Sequence, residues 1–157
     1  MYEVRVTADF AAAHFLRDYH GKCENLHGHN YKVYAHVAGS ELDAGGMLLD
    51  FSVLKSALKK VCALLDHTNL NDNPYFDQNP SAERIARFIY EKLVEELPEL
   101  KKAGCGSSSK GGASDAAGAT LDNGGALLSN ATGAAFLKAV DVFETETSRA
   151  RFTVVPC

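Results

Sequence analysis

From Val4 to Phe10 the apolar residues fall at every second position (Val4, Val6, Ala8, Phe10), the repeat of a strand with one buried face. Asn30 to Ala38 carries the same repeat in Tyr31, Val33, Ala35 and Val37. The two segments are therefore expected to pair as an antiparallel ribbon across the loop that holds Arg17 to Glu24, with a turn over Gly39 to Gly46 behind them. The period then changes. Phe51, Leu54, Leu58, Val61, Cys62 and Leu65 lie on one stripe at helical spacing, Asp50 stands where an N-cap is needed, and Lys55, Lys59 and Lys60 are left for solvent. A polar connection rich in asparagine (Asn69, Asn71, Asp72, Asn73, Pro74) leads to Asn79-Pro80-Ser81, a start signal for a second helix carrying Ile85, Phe88, Ile89, Leu93 and Leu97, which Pro98 helps to end.

Between about Ala103 and Ala135 the composition turns to Gly, Ala and Ser with no sustained period, and this stretch reads as an insert or long surface loop. Val140 to Val155 is β-rich again around a polar Glu144 to Ser148, which predicts a second hairpin. Two strands, two helices and two strands make an α+β layout, an antiparallel sheet that takes both helices on one face.

Composition narrows the function classes. The chain has 157 residues, 46% of them hydrophobic, enough for one compact domain over 1–157 with a modest core. Sixteen Lys and Arg against 20 Asp and Glu give a net charge of −4, so no global field gathers nucleic acid or anionic lipid, and a polyanionic ligand needs a local site. No apolar stretch approaches the ~20 residues of a membrane span. The start, Met1 to Phe10, alternates charge with apolar residues where a signal peptide would be continuously apolar, so a cytoplasmic protein is expected. Cys23, Cys62, Cys105 and Cys157 are scattered without a C-x-x-C pair, which suggests neither a zinc ribbon nor a disulfide framework.

The chemistry gathers around His27-Gly28-His29 at the entrance to the second strand, because residues two apart in a strand point to the same side. His14 closes the first strand, and if the strands pair as expected it reaches the same face. Three His ligands with no obvious fourth protein ligand describe a zinc site open at one position for water or substrate. Cys23, four residues before His27 and close to His20 and Lys22, is either a fourth ligand or a free reactive thiol. Cys62 lies on the helix stripe and reads as a small buried hydrophobe. In Asp66-His67, just after the first helix, a carboxylate can orient an imidazole and raise its basicity, although helix-terminal Asp and His are also common as caps. His20 and His36 are expected on the surface, and Glu144 taken alone is a strand-end carboxylate.

Taken in order, Cys23-Glu24-Asn25-Leu26-His27-Gly28-His29 with His14 upstream, Leu49-Asp50-Phe51, Leu65-Asp66-His67 with Leu70-Asn71-Asp72, Asn79-Pro80-Ser81-Ala82-Glu83 and Phe143-Glu144-Thr145 resemble the 6-pyruvoyl-tetrahydropterin synthase family. The nearer resemblance is to its bacterial 6-carboxy-5,6,7,8-tetrahydropterin synthase branch, of queuosine biosynthesis. It covers residues 1 to 102 and 136 to 153. The resemblance implies a T-fold (tunnelling fold) ββααββ unit, assembled as a homo-oligomer, a hexamer, around a pore with sites at subunit interfaces. It makes His14, His27 and His29 the Zn2+ ligands, Cys23 the catalytic thiol, Asp66 and His67 its acid/base partners, and Glu144 the anchor of the pterin ring. The implied reaction converts 7,8-dihydroneopterin triphosphate to 6-carboxy-5,6,7,8-tetrahydropterin, acetaldehyde and triphosphate. Elimination of triphosphate to the 6-pyruvoyl product is the alternative within the family. Glu24 beside Cys23 raises a further one, side-chain cleavage to 6-hydroxymethyl-dihydropterin. Outside enzymes, the same residues could serve a zinc-containing binding module.

Overall fold

A computed structural model describes residues 1–100 and 135–154. In chain order the elements are β1 (Tyr2–His14), β2 (His27–Gly39), α1 (Phe51–Ala63), β3 (Thr68–Asn69), α2 (Ala82–Glu96), β4 (Phe136–Thr145) and β5 (Ser148–Thr153), with single 3-10 turns in the connections. The stretch 103–135, apart from Ala135, lies outside the described residues, as do Cys105 and Cys157. Among the described residues no helix is long and apolar enough to cross a membrane.

The period-2 segments pair as expected and reach further than the alternation alone. β1 and β2 run antiparallel over their whole lengths, from Tyr2 opposite Gly39 to His14 opposite His27. That register puts Val6 across from Ala35, Ala8 from Val33 and Phe10 from Tyr31, all buried on one face. Phe10 and Tyr31 stack with ring centroids 4.7 Å apart. β4 pairs antiparallel with β2, and β5 with β4, giving the order β3-β1-β2-β4-β5.

Two features escaped the pattern. β4 starts at Phe136, ahead of the expected Val140, because its register slips beside His36 and Val37, so that Leu137 and Val140 both face the core. A bulge adds a residue to one strand and breaks the alternation by which a strand is read. The parallel strand β3 has only two residues, too few to show any period.

Both helices cover one face of the sheet. The Asp50 carboxylate accepts the Ser52 amide at 2.7 Å and the Ser81 hydroxyl accepts that of Arg84 at 3.4 Å, capping α1 and α2. Leu54, Leu58, Val61 and Cys62 of α1 and Ile85, Phe88, Ile89 and Leu93 of α2 are buried against the strands. Burial pushes the Cys62 thiol up to about 12, as suits an inert core group. Phe51 departs from the expected stripe and is 54% exposed. As the first residue of α1 its side chain leans back off the helix end.

The sheet face without helices corrects the expectation for His36. This residue is only 7% exposed. Its Nδ1 lies 3.0 Å from a Glu3 carboxylate oxygen and its Nε2 2.9 Å from one of Asp141, while Arg151 grips both oxygens of Asp141 at 2.7 and 2.8 Å. Burial alone would raise Asp141, but the hydrogen bonds from Arg151 and His36 outweigh it and hold the carboxyl below its usual range. No sequence period reveals this grouping, because its partners come from four strands.

Candidate metal centre

The antiparallel register of β1 and β2 builds the site directly. His14 ends β1 opposite His27, which opens β2, and His29 lies opposite Ala12, so all three side chains fall on the helix-covered face. Their ring centroids are 4.6 Å (His14 to His27), 5.1 Å (His14 to His29) and 4.9 Å (His27 to His29) apart, and one ligand atom from each lies within 4.8 Å of the others.

Hydrogen bonds fix how two of these rings present themselves. His14 Nδ1 donates to the Pro80 carbonyl at 2.9 Å and His27 Nδ1 to the Asn25 carbonyl at 2.7 Å. A carbonyl can only accept, so Nδ1 carries a proton, and in the neutral ring Nε2 is the nitrogen that offers a lone pair. His14 Nε2 is buried and has no hydrogen-bond partner among the described residues; a Glu144 oxygen stands 3.8 Å away. Burial pushes His29 down, which Glu144 opposes and the neighbouring His14 and His27 reinforce. Three imidazoles whose lone pairs converge, one of them buried without a partner, fit a divalent transition metal such as zinc.

The segment leaving His14 is held by side chains that imitate a strand. The Asn71 amide accepts from Phe15 N and donates to Phe15 O, both at 2.9 Å, and donates to Gln78 O at 3.0 Å. The Asn79 amide brackets the Arg17 backbone in the same way at 3.3 and 3.4 Å. Between them, Leu16 N donates to Cys23 O at 2.7 Å and anchors the 3-10 turn Lys22–Glu24. Cys23 is a half-buried free thiol in that turn, outside the three-histidine group. The Glu24 carboxylate turns back to accept the His20 amide at 3.0 Å, with His20 exposed as expected.

Asp66 and His67 form the expected pair, His67 Nδ1 lying 2.9 Å from an Asp66 oxygen. Ala11 on β1 holds both: its amide donates to the other Asp66 oxygen at 2.8 Å, and its carbonyl accepts from His67 N at 2.6 Å. These clamps bend His67 into the left-handed region at φ 55°. The Ala11 amide first, then His67, hold the Asp66 carboxyl below its ordinary range. The His67 ring is 84% exposed and lines an open groove of about 530 Å³ with Ala11, Ala12, Ala13, Gly28, His29 and Asn30. By alternation the side chains of Ala11, Ala13 and Asn30 face away from the three histidines. Within one chain the pair thus opens on the opposite side of the sheet, and no hydrogen bond or ion pair among the described residues joins it to Cys23.

Two more residues flank the histidines on the helix side. Glu144 follows Phe143, the partner of Lys32, and its side chain is 25% exposed. Tyr31 is fully buried, with its ring 5.9 Å from His14 and 5.4 Å from His29, and its hydroxyl has no hydrogen-bond partner among the described residues. Burial first, then the charge of Glu144, push this phenol far up, so it remains a donor. Tyr31 was readable only as a core position, although it continues the His27, His29 alternation.

A T-fold sheet whose central strand pair ends in a three-histidine group that could hold a metal ion defines a class of α+β proteins. Within that class the chain belongs to the 6-pyruvoyl tetrahydropterin synthase family, whose family model matches residues 3–110. It is 41% identical over 106 residues to the 6-carboxy-5,6,7,8-tetrahydropterin synthase of Bacillus subtilis (strain 168), covering 64% of this chain and 70% of that protein. The Haemophilus influenzae protein of the same name is 34% identical over 119 residues, 61% of this chain and 84% of its own. The human 6-pyruvoyl tetrahydrobiopterin synthase is 41% identical over 83 residues, 50% and 57% of the two chains. Among solved structures, the Caenorhabditis elegans 6-pyruvoyl tetrahydropterin synthase superposes with a TM-score of 0.67 at 22% identity over 98% of this chain and 96% of that one.

Proposed function

We propose that the chain is a zinc-dependent lyase that converts 7,8-dihydroneopterin triphosphate and one water to 6-carboxy-5,6,7,8-tetrahydropterin, acetaldehyde and triphosphate. The observation that carries this reading is the converging, partly unpartnered histidine group in a chain similar to bacterial synthases of that name. His14, His27 and His29 hold the metal, which when bound acts as a Lewis acid towards the side-chain hydroxyls of the substrate. Glu144 accepts the ring N–H and amino group of the pterin, a bidentate contact that fixes ring orientation. Cys23 takes and returns protons at the side-chain carbons. His67, oriented by Asp66, is its acid/base partner.

The two sheet faces support a reading of how these groups meet. Since Asp66 and His67 open away from the three histidines of their own chain, the complete site takes Cys23 and the metal centre from one subunit and the Asp–His pair from a neighbouring copy in a homo-oligomer, a hexamer. Two inactive variants test this: Cys23→Ala and His67→Ala, mixed and reassembled, regain turnover in hybrid interfaces. Persistent inactivity of a properly assembled mixture would place all the groups in one subunit.

Product mass after incubation with 7,8-dihydroneopterin triphosphate tests the reaction itself. The 6-carboxy product is expected. The 6-pyruvoyl product would transfer the reading to the activity named in the human relative, and absence of turnover in the zinc-loaded protein would favour a binding module. The engagement of Glu24 with the His20 amide weighs against its serving as a free base for cleavage to the 6-hydroxymethyl product.

A further inference from the structure

Two buried side-chain polar atoms have no hydrogen-bond partner among the described residues, and they flank the same site: His14 Nε2 and the Tyr31 hydroxyl. A metal accounts for the first. It leaves the second unexplained, because the Tyr31 hydroxyl lies outside the three-histidine group and still lacks an acceptor among the described residues. A buried hydroxyl without a partner costs about 1–3 kcal/mol, and phenylalanine would keep the 4.7 Å stack on Phe10 without that cost.

The carboxylate that borders the same site is Glu144. Phe143, opposite Lys32, ends the pairing of β4 with β2, and Glu144 follows it at a register irregularity with its carboxylate on the helix side, beside His14. Both the carboxylate and the phenol border His14, whose ring centroid lies 5.9 Å from that of Tyr31. Here the carboxylate leans towards His14 Nε2, at 3.8 Å. With that nitrogen engaged by a metal, the carboxylate is free to turn to the phenol.

We propose that Tyr31 is a positioning residue whose hydroxyl donates a hydrogen bond to the Glu144 carboxylate in the metal-loaded protein, fixing the carboxylate for the paired donors of a flat heterocycle. The pterin identity of that ring rests on the reading given under Proposed function. One oxygen lone pair serves Tyr31, and the remaining pairs face the ligand, so Tyr31 touches no substrate atom.

A double-mutant cycle over Tyr31→Phe and Glu144→Gln tests this in the zinc-loaded protein by calorimetric titration with biopterin, with zinc content and Tm measured on all four proteins. Tyr31→Phe should weaken biopterin by about tenfold, the size of one hydrogen bond to a charged acceptor. The double variant should bind no more weakly than Glu144→Gln alone, with zinc content unchanged throughout. In the metal-free protein, Tyr31→Phe should melt at or above the parent temperature; in the zinc-loaded one it should melt below. Parental affinity in Tyr31→Phe, or losses that multiply in the double variant, would overturn the inference. Parental affinity in Glu144→Gln would instead overturn the ring-anchor reading, and the coupling between the two substitutions in zinc-loaded Tm would then decide the Tyr31–Glu144 bond by itself.

Discussion

On the open face of the sheet, His36 has a carboxylate at each ring nitrogen, and Asp141 is gripped in turn by Arg151. On the helix face, His14 has a carbonyl at one nitrogen and, among the described residues, no hydrogen bond at the other, beside a phenol that also lacks one. Both histidines are buried and both face carboxylates from β4. Burial and charge therefore do not separate a structural group from a reactive one. Completeness does: a closed network spends its hydrogen-bonding capacity on the fold, whereas an unfinished one keeps capacity for something that binds.

Breaking the unfinished group should have the largest effect. His14→Ala and His29→Ala are each expected to abolish stoichiometric zinc in elemental analysis, with turnover falling to background. Full zinc content in both would remove the metal centre. Next come the groups assigned to proton transfer. Cys23→Ala and His67→Ala should lower turnover by about 10² to 10⁴ while zinc content and Tm stay at parental values. A change confined to KM would make them binding residues.

The closed network should respond in stability instead. Asp141→Asn removes a buried charge from between His36 and Arg151 and should cost about 3 kcal/mol at neutral pH, the lower end for breaking a buried pair, with zinc binding intact. The pH dependence has a definite sign. Because the folded carboxyl lies below its unfolded value of about 3.9, its contribution is complete above that pH and is lost as pH falls through the folded value. Chemical denaturation should show the gap between parent and Asp141→Asn closing below about pH 4. A gap that widens there would reverse the assignment. Smallest is the rim of the same network: Lys138, paired with Glu3 at 2.6 Å but with both side chains more than two-fifths exposed, should lose less than about 1 kcal/mol on substitution by alanine. A larger loss would extend the closed network to the surface.

Much of this was legible in the chain. Alternation in β1 and β2 gave their pairing, and pairing gave the three-histidine face, because a side-chain period of two leaves no freedom once one face is buried. Helical stripes and the caps at Asp50 and Ser81 were equally local. The motif order pointed to the family before any geometry. Each failure has its own cause. The start of β4 was hidden by the bulge beside His36 and Val37, β3 by its length, and His36 by partners 33 and 105 residues away in sequence.

The sequence by itself determined which residues could ligate, which face of each strand and helix would be buried, and which family the chain resembles, since those depend on residue type and short-range period. Only the tertiary structure decided which polar groups were finished and which were left open. It placed a carbonyl from Pro80, 66 residues along the chain, against His14, hung Asp66 and His67 on the backbone of Ala11, and turned that pair to the opposite side of the sheet. Hydrogen bonds are satisfied by position and direction within about 3 Å, and such positions are fixed only after distant segments have packed.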